Sequence, residues 1–547
     1  MNAGTETFDY DAARRDFKLE IPDNFNFAFD VVAKRAREAD KTALIAIDKT
    51  GEHVVTHSYS DLDRDSNRFA NVLLGLGAAK GDFAFVMIPR LAAWYHVLLG
   101  CMKTGVVAMP GTNLLTSKDI EYRVNRSAAK LVIVTSEHVE KVEAVKHACP
   151  TLEHLIVVDG PAPKGWTSMA EACRAASDSL DRAAVPANTS KDPMLIYFTS
   201  GTTSMPKMVE RDHGYGLAHM ITQKYWMTLN DTDVHWTLTD TGWAKAAWGL
   251  VFPPLLAGST IMLFDGEGFN AHQHLKIIED HKVTTFCAPP TIYRLFAQMD
   301  VSGYDLSSLR HCLGAGEPLN PEAMRTWKAA TGCDIYDGYG QTETVNIVAN
   351  YPGMEIRAGS MGKPVPGIDV RIVDDEGNEV DDGVVGDIAV KITDPYPLGL
   401  FPGYFQDPEG TARSFRNGWY YTGDTATRDA DGYIWFVGRS DDIISSAGYR
   451  ISPFEVESAL IEHPAVQESA VVGKSDEIRG EIVKAYVILA PGHEGSDELT
   501  VEIQDFVKNV TAPYKYPREI EYRDALPKTI SGKIRRVELR AEAEAEG

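Results

Sequence analysis

The sequence predicts an α/β protein of several lobes: two strand–helix halves with parallel sheets, a β-rich segment, and a compact α+β segment at the C-terminus. Three observations carry this. The 547 residues exceed what one ordinary core holds. Apolar runs of strand length alternate with stretches of helical period through the first two thirds of the chain. Past Gly359 the text turns to short alternating strands with glycine turns, and near Gly438 it changes again.

In the first half, Ala43 to Ile47 reads as a strand, Asp61 to Leu76 as a helix, Phe83 to Ile88 as a strand and Leu91 to Thr104 as a helix. Val106 to Met109, Leu131 to Val134 and Leu155 to Val158 keep the rhythm, which is that of βαβ units and a parallel sheet. Pro161 to Asp192, rich in Ala, Ser, Asp and Pro, reads as a surface excursion. Met194 to Phe198 reads as a buried strand. The second half runs through Thr260 to Phe264, a helix from Ala271 to His281, and Thr284 to Ala288, ending near Ile335 to Glu343. Asp369 to Val373 and Gly386 to Lys391 belong to the β-rich segment. The Glu- and Ala-rich tail from Glu538 to Gly547 is expected to fray or stay disordered, and no internal repeat is visible.

A formal net charge of −24 excludes a general nucleic-acid binder, so an anionic ligand needs a locally basic pocket. The six cysteines are scattered, without a C-x-x-C pair or a His cluster at zinc spacing, which fits a reduced cytoplasm. Glu6, Asp9, Asp11, Asp16 and Glu20 precede any long apolar run and argue against a secretory signal or an acidic-poor transit peptide. A cytoplasmic location is the expectation. The most apolar window, Trp243 to Phe264, holds Lys245, Pro253-Pro254 and Gly258, so it reads as buried helix and strand rather than a transmembrane segment.

Chemistry concentrates in five blocks. Thr199-Ser200-Gly201-Thr202-Thr203-Ser204-Met205-Pro206-Lys207 leaves the end of a strand with hydroxyls, a glycine and a lysine, a combination that can hold a polyphosphate. On composition alone a polar surface loop fits equally, and Pro206 before the Lys rules out a Walker A loop. In Tyr339-Gly340-Gln341-Thr342-Glu343 the aromatic could stack on a base, Thr342 bond a carboxylate or phosphate, and Glu343 hold Mg²⁺; the plain alternative is a glycine turn with a solvated Glu. Asp424, after Tyr421-Thr422-Gly423, could accept both hydroxyls of a ribose or be an ordinary turn residue. In Gly438-Arg439-Ser440-Asp441-Asp442, Arg439 could reach ribose or phosphate while Asp441 marks a joint, unless the segment is only a charged linker. Lys533 follows Gly532 in a segment that could swing, although most such lysines are solvated.

In this order and at these separations the blocks resemble the adenylate-forming superfamily of acyl-CoA synthetases, nonribosomal peptide adenylation domains and luciferases, over residues 25 to 540. The resemblance implies a large N-terminal AMP-binding domain over 1–438 that includes the β-rich subdomain, a hinge at 439–442 turning on Asp441, and a small mobile C-terminal domain over 443–547. It implies ATP or AMP contacts from Thr199 through Ser204, Lys207, Gly316, Glu317, Pro318, Asp337, Gly338, Tyr339, Gly340, Gln341, Thr342, Asp424 and Arg439. Lys533 would be the catalytic lysine, assisted by Thr342 and Glu343, with Glu343 as the Mg²⁺ ligand. The family usually has Gly at the position of Ser204.

Ser445 to Glu457, Asp476 to Glu481 and Thr511 to Arg518 are similar to medium-chain acyl-CoA synthetases. By that likeness Ala447, Gly448 and Tyr449 border a pantetheine tunnel, and Arg479, Lys508, Tyr516, Pro517 and Arg518 contact the CoA nucleotide. Gly242, Trp243, Thr342 and Arg450 would meet the acyl substrate, in a pocket drawn from Thr239 to Lys245 and Leu313 to Pro318. The implied reaction is carboxylate, ATP and CoA to acyl-CoA, AMP and pyrophosphate. Short branched or aryl acids, a carrier-protein acceptor and, less well supported, a non-catalytic nucleotide-binding protein are the alternatives. Partners are small molecules, with no nucleic acid, and a homodimer is compatible with the likeness.

Overall fold

The computed structural model describes residues 9–38, 41–199, 206–266, 268–316, 319, 321–447, 449–476, 478–528 and 533–545. They pack as two compact units. One takes in the described residues of Met1–Thr199, Lys207–Asp369 and Thr393–Thr411, the other those of Val370–Ile392 and Ala412–Gly547.

The first unit holds two sheets. A seven-stranded sheet runs Thr167–Ser168, His154–Val157, Leu131–Val134, Phe83–Met87, Val107–Pro110, Pro193–Phe198 and Met208–Asp212. All neighbours are parallel except the last pair. The nine-stranded sheet runs Lys363–Pro364, Val348–Ala349, Ile335–Tyr339, His311–Gly314, Thr285–Ala288, Val234–Thr237, Thr260–Phe264, Thr42–Ile47 and Val54–Ser58. Its middle is parallel and its edges antiparallel. The parallel pairing that the strand–helix rhythm predicts is present in both halves, and short antiparallel returns finish both edges of this sheet without a crossover. Thr42–Ile47 also leaves the first sheet and pairs with Thr260–Phe264, more than 200 residues on. Its apolar pattern marks a buried strand but carries no information about the partner.

Helix Tyr59–Gly75 starts on a capping box between Ser58 and Asp61. It lies close against helix Ala92–Thr104 because Gly100 has no side chain: a Cβ there would stand 2.8 Å from the Phe69 ring. Parallel strands point their carboxyl ends one way, so the loops after Gly314 and Tyr339 open on one edge of the sheet, where ligands of open α/β sheets sit. The apolar window at 243–264 forms short helical turns and the buried strand Thr260–Phe264. Among the described residues no helix is long and apolar enough to cross a membrane.

In the second unit, Val370–Val373, Gly386–Lys391, Trp419–Arg428, Phe415–Arg416 and Ile434–Arg439 form an antiparallel sheet. A further five-stranded sheet of Ile444–Ser446, Tyr449–Ile451, Val466–Asp476, Gly480–Leu489 and Glu519–Tyr522 carries helices Pro453–Ile461, Asp497–Val510 and Arg536–Ala545. Packing thus groups the β-rich segment with the C-terminal one, whereas the resemblance groups it with the N-terminal domain. The tail expectation is corrected: Arg536–Ala545 is a helix, with Leu539 and Ala543 buried against Ala470, Val472, Tyr486 and Leu526. Its Glu and Ala content favours helix, and two apolar residues four apart anchor one face.

Candidate active site

In the first unit, parallel pairing sets Gly314 opposite Asp337, so Gly316 and the 337–342 segment emerge side by side. Gly316 has φ +104°, a conformation that side chains rarely adopt. Gly338 and Gly340 are required by two indoles. A Cβ on Gly338 would lie 2.4 Å from Trp226, and one on Gly340 2.3 Å from Trp248. Asp337 is buried, its Oδ1 accepting from the Gly338 amide at 3.0 Å. Burial pushes its carboxyl up to about 7, against the pull of that amide and of the Lys245 ammonium. Lys245 Nζ donates to Ala315 O at 3.0 Å, tying the Thr239 to Lys245 loop to the Gly314–Gly316 turn.

Glu343 is buried and is held from three directions. The Tyr404 hydroxyl donates to its Oε1 at 2.9 Å, and its carbonyl oxygen accepts from Arg211 Nη1 at 2.8 Å and from the Phe401 amide at 2.9 Å. The Tyr404 ring also carries Lys207, whose Nζ stands 4.4 Å from its centroid. One tyrosine therefore connects an acid and a base that the sequence places in separate blocks. Gln341 N donates to Thr344 Oγ1 at 2.9 Å, fixing the turn around the half-buried Thr342.

The ends of the hydroxyl-rich loop are clamped to each other. The Thr199 amide donates to Lys207 O at 2.9 Å and the Lys207 amide to Thr199 Oγ1 at 3.1 Å. Ser200, Gly201, Thr202, Thr203 and Ser204 lie outside the described residues, as do Glu317, Pro318 and Gly448 and the side chain of Arg450.

Gly242 sits where the two sheets of this unit meet. A Cβ on it would come within 2.0 Å of the Thr112 nitrogen, and Asp240 binds both sides of the contact, accepting from Gly242 N at 2.7 Å and from Thr112 Oγ1 at 2.9 Å. Burial raises the Asp240 carboxyl. Trp243, half-buried, follows directly.

In the second unit, Asp424 and Arg439 are cross-strand neighbours with Nη1 to Oδ1 at 3.2 Å, and Asp424 is buried within strand Trp419–Arg428, next to Gly423 at φ +73° where the strand register shifts. Arg439 Nε is also 3.6 Å from Asp441 Oδ1. Around the sheet that follows, Tyr449 stacks on Tyr514 with centroids 4.1 Å apart and 17° between planes. The Tyr516 ring is flanked by Lys508 Nζ at 4.3 Å and the Arg518 guanidinium at 4.9 Å, and Arg518 Nη1 donates to its hydroxyl at 2.9 Å. Pro517 between them is buried. Ala447 has φ +50°, and its amide donates to Arg479 O at 2.7 Å. Lys533 is exposed, and Lys528 and Ile534 on either side of its segment make a β-bridge.

Sequence reasoning missed Tyr404, Arg211, Trp226, Trp248 and Tyr514. The first four act through partners 61 to 132 residues away or through the space a glycine leaves. Tyr514 alone left a signal, standing in an aromatic and basic run with Tyr516 and Arg518.

The AMP-binding enzyme family model matches residues 31–405 and that of the AMP-binding enzyme C-terminal domain residues 455–533. Acyl-coenzyme A synthetase ACSM3, mitochondrial, of Mus musculus is 45% identical over 542 residues, 97% of this chain and 93% of the relative. Acyl-coenzyme A synthetase ACSM5, mitochondrial, of Homo sapiens is 45% identical over 532 residues, 95% and 91%. Among solved structures, the anthranilate CoA ligase AuaEII in complex with anthranoyl-AMP superposes with a TM-score of 0.87 at 33% identity, over 96% of this chain and 98% of that one. The mitochondrial names of these relatives overturn the cytoplasmic expectation. Unpaired cysteines report only a reducing compartment, which more than one part of a cell supplies. With family matches over both ends and relatives this similar along nearly its whole length, the chain belongs to the AMP-binding enzymes, as an AMP-forming acyl-CoA synthetase.

Proposed function

We propose that the enzyme activates a medium-length linear carboxylic acid through an acyl-adenylate and transfers it to CoA, with Lys533 as the catalytic lysine of the first step and Asp441 as the hinge between the two. The observation that carries this reading is the coexistence of the Glu343 and Asp337 site with the Tyr449, Tyr514, Lys508 and Arg518 surface, whose cations and stacked aromatics suit an adenine bearing phosphates.

In the first half-reaction the substrate carboxylate attacks the α-phosphorus of ATP and pyrophosphate leaves. A carboxylate is already ionised at neutral pH, so no general base is needed. What limits the step is bringing two anions together. Lys533 bridges carboxylate and α-phosphate, Lys207 and the hydroxyl loop from Thr199 hold the leaving phosphates, and Asp424 with Arg439 receives the ribose. In the second, the CoA thiol attacks the acyl carbonyl and AMP departs. Rotation about Asp441 withdraws Lys533 and brings Gly448 to Arg450 to the same carbonyl.

The residues present fit a Mg²⁺ ion. Mg²⁺ takes one or two protein carboxylates and otherwise water and substrate phosphate, which suits the single carboxylate of Glu343 steadied by Tyr404. Among the described residues there is no group of three His, Cys, Asp or Glu that would make an all-protein cage. Bound at Glu343, the ion would offset phosphate charge.

The test is a panel of linear acids from butyrate to dodecanoate with isobutyrate, benzoate and anthranilate, read by ATP-dependent pyrophosphate release with and without CoA. Hexanoate or octanoate is expected to lead, with CoA raising turnover. An aryl optimum, which the likeness to the anthranilate ligase favours, would reassign the acid class. Turnover indifferent to CoA would point to a carrier-protein acceptor.

A further inference from the structure

The last helix of the second unit reaches back to the hinge. Arg540 Nη1 donates to the carbonyl oxygen of Asp441 at 2.5 Å, and its Nη2 lies 2.9 Å from Asp442 Oδ1. Arg536, four residues earlier and so on the same helix face, stands 3.7 Å from Asp442 and forks onto Glu457 at 2.7 and 2.8 Å. Glu457 is buried and also accepts from the Val471 amide at 2.8 Å. On the other side of the joint Arg439 faces the Asp441 side chain. The hinge residue is thus held twice, its carboxylate by the strand before it and its carbonyl by the final helix.

This division bears on rotation. The peptide unit is rigid, so turning the N–Cα and Cα–C bonds of Asp441 carries its own carbonyl oxygen along with everything downstream. A helix that grips Asp441 O and the Asp442 carboxylate makes that peptide plane part of the moving body. The torsions of Asp441 itself are what remain free. Lys533 lies three residues before Arg536, and its segment is tied to the helix start: the Arg535 amide donates to Pro527 O at 2.9 Å, and Lys528 bridges Ile534.

We propose that Arg540, backed by the Arg536, Glu457 and Asp442 cluster, is a positioning residue for adenylate formation, joining the hinge peptide 441–442 to the segment that carries Lys533 so that lysine and hinge move as one piece. The inference rests on the roles of Lys533 and Asp441 given above. An ion cluster that only stabilised the helix would, when weakened, affect both half-reactions alike.

The experiment compares Arg540→Gln, Arg540→Lys, Asp442→Asn and Lys533→Ala in the full chain. Adenylation is read as single-turnover pyrophosphate release, thioester formation from supplied acyl-adenylate and CoA. Arg540→Gln is expected to slow adenylation about tenfold, with KM for ATP and acid and the thioester rate within about twofold. Arg540→Lys should recover only part, because one ammonium cannot fork onto two oxygens as a guanidinium does. Equal losses in both halves, or unimpaired adenylation, would overturn the proposal. If Arg540→Gln does not fold, Arg540→Lys and Asp442→Asn carry the same comparison. Adenylation surviving in Lys533→Ala would instead refute the assignment of the lysine; its loss there with full adenylation in Arg540→Gln would refute the coupling alone.

Discussion

Asp337→Asn tests the electrostatics of the site with one atom. The Asp337 side chain is buried, and burial raises its pKa from 3.8 to about 7 despite the Gly338 amide at 3.0 Å and the nearby Lys245 ammonium. A carboxyl whose pKa is higher in the folded than in the unfolded chain favours folding while it stays protonated. That contribution is complete below the unfolded value and is lost as pH climbs toward the folded one. At about 1.4 kcal/mol per pKa unit the full loss is about 4 kcal/mol, of which about 2 to 3 kcal/mol accrues between about pH 5 and about pH 8. Asn has the same shape, no charge, and an oxygen that still accepts from Gly338. The stability difference between Asp337→Asn and the parent, from urea unfolding of the ligand-free protein, should therefore shift in the variant's favour by about 2 to 3 kcal/mol over that range. A difference that stays constant with pH would show that the carboxyl is ionised throughout and refute the reasoning.

Glu457→Gln takes from the half-buried Arg536 the carboxylate it forks onto and leaves it Asp442 at 3.7 Å, which should cost about 1 to 3 kcal/mol of stability in urea unfolding. Gly242→Ala sets a methyl into the Thr112 backbone, which cannot yield as a side-chain tip would; about 1 to 3 kcal/mol of stability and most pyrophosphate release should be lost, since the 239–245 loop must move. Lys533→Ala should lower adenylation about 10²- to 10³-fold while sparing thioester formation from supplied acyl-adenylate. Tyr514→Ala removes the ring stacked on Tyr449 and should raise KM for CoA several-fold without touching CoA-independent pyrophosphate release, with Tyr514→Phe close to the parent.

Much of the architecture was legible because apolar runs such as Met194 to Phe198 and Thr260 to Phe264 are buried strands whichever neighbour they choose. Neighbours were not legible. Nothing in Ala43 to Ile47 indicates that it crosses to the second sheet, and the Glu-Ala tail hid its two anchors, Leu539 and Ala543, in a composition that resembles disorder. At the site, the blocks at Tyr339 to Glu343 and Gly438 to Asp442 were visible as spacing. The groups that hold them, Tyr404 on Glu343, Trp226 and Trp248 over Gly338 and Gly340, and Arg540 on Asp441, depend on long-range packing.

The most direct measurement is the product balance of one reaction. With octanoate, ATP, Mg²⁺ and CoA, mass spectrometry and nucleotide chromatography should find octanoyl-CoA, AMP and pyrophosphate in equal amounts, and an enzyme-bound octanoyl-adenylate when CoA is withheld. ADP with phosphate, or AMP released without thioester, would contradict the assignment.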